Sequence, residues 1–150
     1  MGKLIVSLSP HAHGNDSVER NMYGVIIALL PALIVSFIYF GIGAVVVCAA
    51  SVLSCVFFEW AYSRIAKTNC KIYDLSAVVT GVLLAMCLPV TSSFWAPVLG
   101  GAFAIIVVKQ FYGGLGGNFM NPALAGRMLL CTFPHMMTTW VDALNWVPAV

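Results

Sequence analysis

Lys3, Arg20, Arg64, Lys67, Lys71, Lys109 and Arg127 are the seven positive charges of the chain, and all fall in or beside alternate gaps between long apolar runs. The other gaps, residues 41–43 and 90–93, carry no charge. Hydrocarbon rejects charge, and loops rich in Lys and Arg stay on the cytoplasmic side of a membrane. This alternation predicts an all-α integral membrane protein of several spans with a cytoplasmic N-terminus. Composition agrees: 61% of the residues are hydrophobic and 8% are charged, against about a quarter charged in a soluble domain. No basic run interleaved with aromatics marks a nucleic-acid surface.

Residues 1–22 read as a polar cytoplasmic tail and 23–150 as the transmembrane domain. The first span, about 23–40, has Tyr23 at one end and Tyr39-Phe40 at the other, as aromatic belts require, with a kink expected at Pro31. The second, about 44–62, carries Ala50-x-x-x-Ser54 and Ser51-x-x-x-Cys55, small residues at helical spacing that allow close approach of another helix. Glu59 lies in its last turns. Snorkelling to the interface is the favoured reading, with a buried pair or an ion route as the alternatives. Asp74 suits an N-cap for a third element over 75–89, short of the ~20 residues of a full crossing and therefore a broken or shielded helix. The fourth span, about 95–112, ends with Lys109, which is expected to snorkel inward.

The richest local signal follows. Four of the five residues from Gly113 to Gly117 are glycine, which frees the backbone to turn sharply and approach a ligand. Asn121 suits an N-cap and Pro122 the first position of a short helix, about 122–130. A half-helix starting inside a membrane bundle is suited to anions, and Arg127 follows on it. No strand precedes the glycines and no Gly-Lys-Ser/Thr follows, which excludes a dinucleotide fingerprint and a P-loop. Asn121-Pro122-Ala123 shares its letters with the water-channel tripeptide, but those channels use two copies and this chain has one.

Cys48, Cys55, Cys87 and Cys131 read as small buried hydrophobes, and Cys70 as accessible in a basic loop. With no C-x-x-C pair, ligation of zinc or an iron–sulfur cluster is not expected. His11 and His13 lack carboxylate or thiolate neighbours, so no metal site is expected there. No cleavable signal is evident at the N-terminus.

Together these residues resemble the RnfD-type membrane subunit of the Rnf complex, related to the NqrB-type subunit of the sodium-pumping NADH:quinone oxidoreductase. The likeness rests on Ser9-Pro10-His11 with Asp16-Ser17-Val18, on Asp74-Leu75-Ser76-Ala77 with Val79-Thr80-Gly81 and Leu88-Pro89, and on Lys109-Gln110 leading into Gly113-Gly114-Leu115-Gly116. Asn118, Asn121-Pro122-Ala123, Phe133-Pro134 and Met137-Thr138-Thr139-Trp140 complete it in the same order. Val90 and Ser93 replace prolines common in that family, and Phe119-Met120 replaces a more usual pair.

The resemblance implies a component of a translocase in the bacterial cytoplasmic (inner) membrane, not active alone. It implies a polytopic bundle with half-helices, the first half of an inverted-repeat fold. The whole complex would pass electrons between ferredoxin and NAD and move Na+ or H+, with the other members of the complex and the lipid bilayer as partners. The family carries FMN attached through its phosphate to a threonine in a Ser-x-Ala-Thr type motif. Thr132, Thr138 and Thr139 lack that motif, so the attachment is expected past Val150. Asn118, Asn121 and Arg127 are then candidates for the flavin neighbourhood, and Glu59 and Asp74 for the ion route. A passive channel or transporter for a small neutral solute, or a non-redox scaffold protein, are the rival readings.

Overall fold

The computed structural model describes residues 18–67, 74–114, 117–137 and 140, and among them every regular element is helical. Helix α1 (Val18–Ile65) is 48 residues long and interrupted at Gly41, whose φ of 65° and ψ of −149° leave the helical region. Glycine adopts that conformation without steric cost. Pro31 lies inside the same helix, yet its dihedrals stay helical, so the break falls at Gly41 and not at the proline. A proline removes one hydrogen bond but keeps a negative φ, whereas reversing the chain needs a residue free to leave that region.

Beyond Gly41 the second limb of α1 runs antiparallel to α2 (Ser76–Met86). A Cβ placed on Gly43 would meet Val90, and one on Gly81 would lie 2.6 Å from the Val52 Cα. Ser51 Oγ donates to the Gly81 carbonyl at 2.8 Å. The first limb also comes back along α2, with Met22 beside the same cleft as Ser76 and Thr80 and with Phe37 sharing a cavity with Ala85 and Met86. The two limbs therefore form a helical hairpin with α2 laid against it. Ala44, Val47, Ser51, Ser54, Cys55, Glu59 and Ser63 are the buried stripe of the second limb. Their spacing of three and four residues is the helical period, and their small size is what close helix packing in lipid requires.

The cap of α2 differs from expectation. Leu75, at φ 55°, occupies the N-cap position and no side chain caps the helix. The left-handed residue between Asp74 and the helix displaces the carboxylate from the first free amides.

Helix α3 (Trp95–Ala102) continues without a break as a π-helix over Phe103–Gln110. After the glycine turn come α4 (Pro122–Cys131) and the single turn α5 (Pro134–Met137). One core cluster joins Val47, Leu84, Leu88, Ala96, Ala123 and Leu130, and a second joins Cys55, Ala77 and Ile105. Large apolar side chains such as Ile34, Ile38, Ile42, Leu53 and Phe57 lie exposed outside them. Small residues inside and large hydrophobes outside suit a bundle in a lipid solvent. Helix α1 is long and apolar enough to cross a membrane, while α2, the continuous helix 95–110 and α4 are shorter apolar helices.

Candidate functional site

Glu59 does not snorkel. It is 2% exposed, and the Lys109 ammonium donates to its Oε1 at 2.5 Å. Lys109, equally buried at 2%, also donates to Ser76 Oγ at 2.7 Å. Gln110 Nε2 approaches the same Glu59 oxygen at 3.4 Å. The snorkelling expected of both charges fails for one physical reason. An opposite charge on a facing helix satisfies each group inside the bundle, whereas either one buried alone would be strongly unfavourable. The π-helical register helps, because it lets the consecutive residues Lys109 and Gln110 both turn towards the second limb of α1.

Lys109, but not Glu59, borders a cleft of about 470 Å³. Ser76, Thr80, Lys109, Asn118 and Asn121 supply its polar wall. Met22, Val79, Leu83, Phe119, Met120 and Pro122 supply the apolar one. Thr80 Oγ1 donates to the Ser76 carbonyl at 2.8 Å. Pockets of about 300–1,000 Å³ with a few convergent polar groups are the usual form of a ligand site.

The glycine turn places the two asparagines. Gly113 and Gly114 have φ of 94° and 89°, values that L side chains rarely adopt. The Asn118 amide, oriented with nitrogen towards the carbonyls, donates to Val108 O and Gly114 O, each at 3.2 Å. This ties the turn to the end of the π-helix. Asn121 is the N-cap of α4: its Oδ1 accepts from Ala123 N at 3.0 Å, with Pro122 opening the helix. Both asparagines therefore hold the local structure together as well as bordering the cleft.

Arg127 is half-buried on α4 and is not one of the cleft walls. Asp74 is half-buried ahead of α2 and takes no part in the ion pair. Thr132 is exposed, its hydroxyl donating to Leu129 O at 2.6 Å. The cysteines are less uniformly buried than expected: Cys55 is buried, Cys48 and Cys87 are intermediate, and Cys131 is exposed on the outer face of α4. Lys3, His11, His13, Asp16, Cys70, Lys71, Thr138, Thr139 and the C-terminal stretch 141–150 lie outside the described residues. Among the described residues no three His, Cys, Asp or Glu side chains gather as a metal site.

The family model described as the NQR2, RnfD, RnfE family matches residues 5–148. The chain belongs to this family. The D subunit of the Na(+)-translocating ferredoxin:NAD(+) oxidoreductase complex of Acetobacterium woodii is 48% identical over 91% of this chain, which covers 43% of that protein. The D subunits of the ion-translocating oxidoreductase complexes of Alcanivorax borkumensis and Haemophilus ducreyi are 43% and 38% identical, over 92% and 91% of this chain and 41% and 40% of theirs. The chain thus spans about two fifths of the length of the curated relatives it matches. Family and long apolar helix together make this a membrane protein.

Within this family member, a buried pair is the less favoured reading of Glu59, and Lys109 as its partner is what reading along the chain missed. The signal was present: each is a lone charge in the last turns of an apolar run, and the two runs head the same way. They lie 50 residues apart, and only the antiparallel packing on α2 shows that they meet.

Proposed function

We propose that this chain is the N-terminal part of the RnfD-type membrane subunit of a redox-driven ion pump. In this reading it spans the bacterial cytoplasmic (inner) membrane several times, with the tail and basic loops on the cytoplasmic side. The complex to which it belongs would transfer electrons between ferredoxin and NAD and translocate Na+ or H+. The name of the Acetobacterium woodii relative gives ferredoxin, NAD(+) and Na(+) for that protein, and that of the Haemophilus ducreyi relative gives ion translocation.

The observation that carries the reading is the cleft beside a buried ion pair. A flavin supplies one- and two-electron chemistry, and the protein supplies binding, orientation and electrostatics. The cleft suits a flavin ring: an apolar wall for the flat face, and an ammonium and two amides for the polar edge. The covalent phosphate linkage finds no counterpart among the described residues. Thr132 lacks the attachment motif and is not a cleft wall, and Arg127 stands away from the cleft. Asn118 and Asn121 are therefore assigned to the ring, and no role in binding the phosphate is assigned to this segment.

The test is the ratio of flavin to protein in the purified complex. Leu83→Trp, which fills the cleft from its apolar side, and Asn121→Ala are expected to lower that ratio by about one flavin and part of one flavin per complex. Unchanged flavin content in both variants would remove the cleft from the reading. Loss of ferredoxin-driven ion uptake into vesicles on deletion of this protein tests its place in the pump.

A further inference from the structure

Lys109 stands between two environments. Lys109 is one of the residues that line the cleft, while Glu59, whose carboxylate it binds, is not. An ammonium has three donors, and two are engaged, by Glu59 Oε1 and by Ser76 Oγ. Glu59 is paired through one oxygen, and its Oε2 is buried without a hydrogen-bond partner among the described residues. A pair whose only task was to join two helices would bring little, since apolar replacements of buried pairs are often equally stable. The pair is moreover formed by a π-helical segment, a rare geometry that recurs at functional sites.

We propose that Lys109 contacts the polar edge of a redox-active ring in the cleft, and that Glu59, through the ion pair, sets how much positive charge Lys109 presents there. This rests on the flavin reading above and adds the sign of the field. A neutral ring held there would, on taking up two electrons from a reduced carrier of the complex and one proton from water, carry one negative charge. A nearby ammonium in a low-dielectric site would stabilise that charge, and a carboxylate paired with the ammonium would weaken the effect. No bond to Lys109 or Glu59 forms or breaks. Lys109 is a cofactor-contacting residue, and Glu59 is a positioning residue that acts through it.

The two charges must then move the reduction potential in opposite directions, which a purely structural pair would not do. The measurement is the midpoint potential, in the assembled complex, of the flavin that Leu83→Trp removes. Lys109→Met is expected to lower it and Glu59→Gln to raise it. Each change should be tenfold or more in the reduction equilibrium, which is about 30 mV for a two-electron couple. Lys109→Arg should stay near the parent value, and the double variant Lys109→Met with Glu59→Gln should fall between the singles. Should Lys109→Met fail to assemble, the rise in Glu59→Gln and the retention in Lys109→Arg carry the test. Flavin content intact with potentials unmoved, or moved in one common direction, overturns the inference and leaves the cleft reading standing. Flavin fully retained in Leu83→Trp overturns both.

Discussion

Gly126 of α4 lies so close to Gly100 of α3 that a Cβ built on it would fall 2.7 Å from the Gly100 carbonyl oxygen. Backbone meets backbone there, so neither side can give way by rotating a side chain. Gly126→Val is expected to destabilise the bundle by about 1–3 kcal/mol through overpacking. Gly24→Val, at a site with nothing within 4 Å, is the control expected to leave packing intact. Thermal unfolding of the purified complex, followed by size-exclusion chromatography, distinguishes the two.

Replacing either member of the ion pair alone leaves a buried charge without its partner. Glu59→Gln or Lys109→Met is expected to cost on the order of 3–5 kcal/mol, and the double replacement clearly less than the sum. A double-mutant cycle on thermal stability measures the difference. Additive losses would mean that the two side chains do not depend on each other.

The cap on α4 has its own signature. Asn121→Ala removes the acceptor for Ala123 N and is expected to cost about 1 kcal/mol, whereas Asn121→Asp should retain the cap. Hydrogen exchange at the first turn of α4 reads this directly: faster exchange in Asn121→Ala alone is the expected result.

Orientation is open to chemical labelling. Lys67 and Ser93 are both exposed, and the proposed topology, read from the charge pattern, predicts them on opposite sides of the membrane. In whole cells, an impermeant thiol reagent should label Ser93→Cys, and should label Lys67→Cys only after permeabilisation. The reverse outcome would invert the topology.

Local features of this site were legible in the residues alone. Asn121 and Pro122 announce a helix start, because a short acceptor side chain followed by a residue without an N–H can do little else at that point. Ser51, Ser54 and Cys55 announce a close helix contact by their size and spacing, and Ser51 does bond to α2. What reading along the chain left out depended on partners distant in sequence. Glu59 and Lys109 each look like a snorkelling charge until the facing helix is known. Asp74 looks like a cap until Leu75 takes the left-handed conformation. The π-helical register at Phe103–Gln110, on which Lys109 and Gln110 both reach one carboxylate, has no local residue code.

The reversal at Gly41 is made by a single residue inside an otherwise helical path. The tip of that hairpin consequently offers no ribbon of loop for an adaptor to grip or a protease to enter. The connection at 90–93 on the same end is short and uncharged. Arg64, Lys67, the glycine turn and the mouth of the cleft all gather at the opposite end. Among the described residues the polar and charged groups are thus drawn to one end of the hairpin, and the other end is closed by backbone alone.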